Sequence, residues 1–354
     1  MSNPKDAFQQ LARIFASRDN EVLEIEIIPP SLGAAFLQDG SSVGITKKAL
    51  VQAFTVARQL FFDRLIPMSE DDLKSTFSTQ SQPTNTDSMI TEVMLLFDCE
   101  HLTACNWRKR RLQAAMEHCP GISNQTSATT KMLETELTLM SSYQCSPLHR
   151  HTKSPTLWHH RLWVIVHLLQ RRQLSSDELL QLQQRELEVV LRAGELHPKN
   201  YYAFSYMRQL YVLLADAVEK TAQATGKTKF AMSIVDRVTD WCLANPRDIS
   251  GWSFGIYILS NLPEQQIRVH TLQRVVQFAL NVGWEGESLW TFVDQTSRQF
   301  YLESLVVDTI AKHNGHQNIP SDWSMEQEGR QKQSWHTWLA RAKVYWAENQ
   351  EDTT

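Results

Sequence analysis

The sequence has little of what independent chemistry or a membrane would require. Its five cysteines (Cys99, Cys105, Cys119, Cys145, Cys242) form no Cys-x-x-Cys pair and no zinc-like cluster with the twelve histidines, so no metal site is expected and the thiols read as reduced. No glycine-rich loop of phosphate-cradling type and no nucleophile–base pair stands out among its twelve glycines and scattered serines. No window of about eighteen apolar residues exists, and no apolar stretch follows a basic leader, so neither a membrane span nor a signal peptide is expected. The expectation is a soluble, cytoplasmic chain. Nor is there an excess of one charge: 35 Lys+Arg against 39 Asp+Glu give −4, which argues against nucleic acid or an anionic membrane as main partner. The longest basic run, "WRKRRL" from Trp107 to Leu112, reads as a solvated helix face.

What is present is 354 residues, 42% of them hydrophobic, enough for a large domain or an elongated array with a continuous core. The segment 1–68 reads as an N-terminal extension: a helix "PKDAFQQLARIF", one strand in "EVLEIEIIPP", where Val22, Leu23, Ile25 and Ile27 partly alternate with glutamates, and a helix over "TKKALVQAFTVARQLFFDRL". The polar stretch 69–87 has no apolar period and predicts a mobile loop. From residue 88 to 354, helix-length patterns follow one another. Ser175 and Glu178 fit a capping box, Pro263 suits a first helical turn, and Gly283 suits an exit. At the end, Trp335, Trp338, Leu339, Ala342 and Trp346 predict a C-terminal capping helix.

A series of consecutive helices calls for a test of internal periodicity. Aligned on one aromatic position, "LTACNWRKRRL", "SPTLWHHRLWVI", "HPKNYYAFSYMRQL", "NPRDISGWSFGIYIL" and "GESLWTFVDQ" place Cys105, Trp158, Phe204, Trp252 and Trp290 in register, with spacings of 53, 46, 48 and 38 residues. Each spacing fits an αα-hairpin, and stacked hairpins bury their apolar stripes as an α-solenoid. Asn200 and Asp248 are predicted N-caps, the aromatic faces the core, and Arg161, three residues after Trp158, shares its face. Only the second copy keeps the aromatic and the arginine together; Met207, Gly255 and Val293 replace the arginine in the last three.

At "HPKNYYAF", "NPRDISGW" and "LWHHRLWVI" the sequence resembles the protein prenyltransferase alpha-subunit repeat family, whose repeat reads approximately Pro-x-Asn-Tyr-x-x-Trp-x-x-Arg. Within it, the chain most resembles proteins that contain the repeat without being the standard farnesyl- or geranylgeranyltransferase alpha subunits. The resemblance implies an all-α fold, a right-handed α-α superhelix of helical hairpins forming a crescent. It implies pairing with a barrel-shaped beta subunit that carries the zinc ion, so this chain needs no cofactor of its own. The complex would join a farnesyl or geranylgeranyl group from an isoprenoid diphosphate to a cysteine of a protein substrate. Lys153 and Lys199, five residues before the aromatic, hold the family's active-site lysine position, with Tyr201 beside the second. Asn200, His159 and His160 become binding candidates, while Trp158, Arg161, Phe204, Trp252 and Trp290 carry the repeat structure. Repeat order favours Lys153 and motif quality favours Lys199. The alternative is a non-catalytic helical scaffold for protein–protein interaction.

Overall fold

The computed structural model describes residues 3–316 apart from 19, 67, 70, 73–84, 119–122, 149, 173 and 222–224. Most of the expected loop and the whole expected capping helix lie outside the described residues. Thirteen α-helices and one small sheet are seen among those described. The chain divides into two compact units, Met1–Leu214 and Ala215–Thr354.

The first unit opens with α1 (Pro4–Ala16), capped by Asn3, whose side chain accepts from Lys5 N. Strand β1 (Glu24–Ile28) follows, then β2 (Phe36–Asp39) and β3 (Ser42–Thr46). The extension therefore holds three strands where the sequence reading expected one. The sheet order is β1-β3-β2, with β1 parallel and β2 antiparallel to β3. The missed hairpin is turned by Gly40, at φ 56°, after Asp39; an Asp-Gly pair is a strong hairpin signal. Ile25, Phe36, Val43 and Ile45 are buried on the inner face with α1 residues such as Leu11 and Phe15.

Helix α2 (Lys47–Leu60) ends in a π-turn over Phe61–Leu65. Helix α3 (Asn85–Phe97) begins inside the segment expected to be a loop. Then come α4 (Leu102–His118), α5 (Ser123–Gln144), α6 (Pro155–Arg171), α7 (Ser176–Leu196) and α8 (Tyr201–Thr221). The predicted capping box at Ser175 and Glu178 is formed.

The second unit continues with α9 (Thr225–Ala244), α10 (Ile249–Ser260), α11 (Gln265–Asn281), α12 (Glu287–Phe300) and α13 (Glu303–His316). Pro263 lies just before the N-cap Glu264 and not within the first turn, because the preceding turn is closed by Asn261 and Leu262. Gly283 leaves α11 at φ 60°, as expected. Within each unit, helices contact neighbours one and two places along the chain: α4 with α5 and α6, α5 with α6 and α7, α11 with α12 and α13. This is the packing of an all-α helical-hairpin repeat, each hairpin burying its stripe on the next.

Candidate functional site

The five aligned copies share a backbone device that their sequences hide. In each, the carbonyl six residues before the aligned position accepts a side-chain hydrogen bond. Trp158, Trp252 and Trp290 donate their own indole Nε1–H to Thr152 O (2.8 Å), Pro246 O (3.0 Å) and Trp284 O (2.9 Å). Cys105 and Phe204 have no such donor, and other groups supply it. Ser154 Oγ, the N-cap of the next copy, donates to Cys99 O at 3.1 Å, and Lys153 Nζ donates to Pro198 O at 3.0 Å. Asn200 Nδ2 also reaches Thr152 O at 2.7 Å. Each carbonyl at the hairpin junction is thereby satisfied.

Four positions before the anchor the chain caps the next helix. Ser154 accepts from Leu157 N, Asn200 from Ala203 N, and Asp248 from Ser250 N and Gly251 N; His101 Nδ1 does the same for Ala104 N. The predicted caps Asn200 and Asp248 are both found. The anchor ring meets an aromatic two places past the next anchor: Trp158 on Tyr206 with centroids 5.1 Å apart, Trp252 on Phe292 at 4.7 Å.

Three positions after the anchor lies the arginine. Arg161, on α6, is buried and forks its Nε and Nη2 onto Glu186 of α7 at 2.6 and 2.8 Å, while Nη1 donates to Leu137 O, Ser141 Oγ and Gln144 Oε1 of α5. Arg108 repeats this one copy earlier. It is buried on α4, forks onto Glu136 of α5, and turns Nη1 to Ser88 and Thr91 of α3. The basic run at Trp107–Leu112 is therefore not simply a solvated face: Trp107 and Arg108 point into the core. Each glutamate also takes a donor two places past the next anchor, Glu136 from His160 Nε2 at 2.7 Å and Glu186 from the Tyr206 hydroxyl. Arg18 and Ser88 bind Glu92 on α3 in the same layer.

Burial alone would push the Glu136 carboxyl up. The Arg108 guanidinium and the bonds from His160 and Arg108 outweigh that and hold it well below its ordinary 4.5. Arg108 shifts correspondingly upward: burial opposes its charge, but Glu136 more than offsets it. A carboxyl depressed in the folded state contributes stability above its unfolded value, and that contribution fades as pH falls. Unfolding free energy measured by denaturant titration is accordingly expected to hold from neutrality down to about pH 4.5 and to drop below it. The Glu136→Gln variant is expected to show a shallower acid limb; an unchanged limb would assign the acid sensitivity elsewhere.

The sequence-predicted chemical residues fall into two sets. His160, Arg161 and Asn200 are buried and committed to packing: His160 to Glu136, Arg161 to Glu186 and to three groups of α5, and Asn200 to Thr152 O and Ala193 O. His159 is exposed on α6. Lys153, Lys199 and Tyr201 gather at one hairpin junction: Lys153 Nζ binds the carbonyl just before Lys199, and Tyr201 N binds Lys199 O at 3.0 Å. Tyr201 is 60% exposed. Lys199 is held at φ 60°, a conformation that costs a non-glycine residue about 1 kcal/mol or more and is often kept where a turn has a task. The thiols do not join this set: burial raises Cys99 and Cys145 to about 11 and Cys105 to about 12. Among the described residues no cluster of His, Cys, Asp and Glu is placed to hold a metal ion, and no helix is long and apolar enough to cross a membrane.

Glu92, Glu136, Glu186 and Arg108 were not foreseen from sequence. The available signal was paired loss. The arginine and glutamate stand 28 and 25 residues apart in the first two copies. Where Gly255 replaces the arginine, the corresponding stretch carries buried Leu280. An ion pair exchanged as a unit for apolar packing is energetically tolerable, whereas losing one partner is not.

Anchors, caps and buried arginine–glutamate pairs define a helical-hairpin repeat protein. Comparison with known proteins narrows the class. The chain is 27% identical over 255 residues to protein prenyltransferase alpha subunit repeat-containing protein 1 of Danio rerio, an alignment covering 65% of this chain and 51% of the relative. The match thus spans about half the relative's length. A family model described as the ECM9 middle domain matches residues 157–279, from α6 into α11. The chain is thus similar in sequence to a prenyltransferase alpha subunit repeat-containing protein, the resemblance its motifs implied.

Proposed function

We propose that this chain is an alpha-like subunit that pairs with a barrel-shaped prenyltransferase beta subunit. The pair would transfer a farnesyl or geranylgeranyl group to a cysteine of a protein substrate, zinc being held by the beta subunit. The observation that carries the reading is the junction where Lys153, Lys199 and Tyr201 present two cations and a phenol beside a rigidly capped helix. In transfer, the cysteine sulfur bonds to the isoprenoid carbon while the carbon–oxygen bond to diphosphate breaks. A preorganised cation lowers the cost of charge developing on that leaving group.

A second reading, a non-catalytic scaffold, is favoured by one specific observation. His160, Arg108 and Arg161 are buried in inter-helix networks, which takes three of the repeat's polar side chains out of reach of a substrate, and Lys153 Nζ is itself bonded to Pro198 O.

Co-expression with candidate beta subunits, followed by size-exclusion chromatography with light scattering, is expected to yield a 1:1 complex. Within that complex, Lys153→Ala or Lys199→Ala is expected to slow prenyl transfer about tenfold to a hundredfold, as loss of one leaving-group contact would. Complex formation with full activity in both variants would leave the scaffold reading standing, and no complex with any beta subunit would end the first.

A further inference from the structure

The N-terminal sheet has two unlike edges. The outer edge of β1 is closed by α5: Leu23 N and Ile25 N donate to Ser142 Oγ (2.9 Å) and Ser146 Oγ (2.7 Å), and Ser146 Oγ donates to Leu23 O. Two serines one turn apart thus stand in for a neighbouring strand. The outer edge of β2 has no such cover among the described residues. Thr46 N donates to Ala35 O at 3.0 Å, which sets the phase of the antiparallel ladder. Leu37 and Asp39 turn their backbone groups to β3, and Phe36 and Gln38 turn theirs outward. An open edge of this kind is a ready template for another extended chain.

The face beside that edge selects by charge. Two cross-strand rows lie on the exposed side, Glu24–Ser42–Asp39 and Glu26–Gly44–Leu37. Gly44 leaves the centre of the second row without a side chain, and Ile28 leans over it into the place a Cβ would take; an open groove of about 520 Å³ runs along this face, bounded by Ile28, Leu37 and Pro147. Glu24 shares Arg192 at 3.6 Å. Glu26 and Asp39 have no ion-pair partner among the described residues.

We propose that the β2 edge accepts an extended, basic segment of a partner protein as a fourth strand. Backbone groups of Phe36 and Gln38 supply the ladder. A basic side chain opposite Asp39 completes a cross-strand charge pair. In the next row, an arginine or lysine stem lies along exposed Leu37 and the Ile28 side chain that covers Gly44, with its head toward Glu26. A second copy of this chain is a poor occupant, because β2 against β2 brings the acidic rows together. The inference is independent of the prenyltransferase reading.

The test uses the full chain and labelled peptides of about seven residues, long enough for one strand. Fluorescence anisotropy is expected to show binding of an alternating Arg–Val peptide. Affinity should fall at least about tenfold for the same peptide with glutamate for arginine, and likewise for one with alternate backbone nitrogens methylated. Glu26→Gln/Asp39→Asn, both exposed and checked for folding by circular dichroism, is expected to weaken binding and reduce its salt dependence. Equal binding of the methylated peptide would mean charge attraction alone and overturn strand addition. Absence of binding at millimolar peptide would do so too, as would a concentration-dependent dimer in light scattering that Gln38→Pro abolishes.

Discussion

Replacing Arg161 with methionine is expected to lower the unfolding free energy by about 3–5 kcal/mol, the range for breaking one side of a buried ion pair. The methionine fits the volume, so the loss comes from what remains. Glu186 keeps only the Tyr206 hydroxyl in a site closed to water, and Ser141 and Gln144 lose their donor. The informative comparison is Arg161→Met/Glu186→Leu/Tyr206→Phe. Removing the charges and hydroxyl together leaves an apolar site, as in the fourth copy, where Gly255 and buried Leu280 hold the corresponding positions. That triple variant is expected to recover most of the deficit. Denaturant titration at neutral pH measures both, and a triple variant as unstable as the single one would mean that the pair is held by more than mutual compensation.

The second large effect lies in the apolar unit. Trp252→Ala is expected to cost about 3–5 kcal/mol, as large-to-small changes of a buried aromatic do. Trp252 is fully buried against Phe292, Val238 and Gly255, in a core with almost no spare volume to collapse into. Trp252→Phe separates shape from hydrogen bonding. It keeps most of the ring contact but leaves Pro246 O without its donor, for an expected loss of about 1 kcal/mol from the bond plus the smaller ring. The same change at Trp158 is expected to cost less, because Asn200 also serves Thr152 O. Equal losses at the two sites would refute the idea that the junction carbonyl is what the indole serves.

The repeat was legible because its cues are local. A cap four residues before an aromatic and an apolar stripe at helical spacing both show in one short window, so Asn200, Asp248, Trp252 and Trp290 were read correctly. The ion pairs were not legible, because their partners stand on separate helices. Within "WRKRRL" nothing local marks Arg108 as the inward member; its distinction is its register with Cys105, which disguises the anchor. The hairpin of β2 and β3 was overlooked for another reason. Asp39-Gly40 announces it, but the strands are short and Gly44 interrupts the alternation between Val43 and Ile45. At the candidate site, Lys153, Lys199 and Tyr201 were named from the motif, and the structure adds that they share one junction. His160 was named as a possible contact and is a structural donor to Glu136.

The junction carbonyls carry one further meaning. The permanent feature of this repeat is an unmet acceptor on the backbone, and the side chain that meets it is interchangeable: an indole from the same helix, a serine or asparagine from the following turn, a lysine from the preceding one. Because the demand is fixed and the supplier is free, individual copies can drift in letters while the joint between them stays mechanically the same. A pattern written in tryptophan and arginine sees one copy where the backbone has five among the described residues.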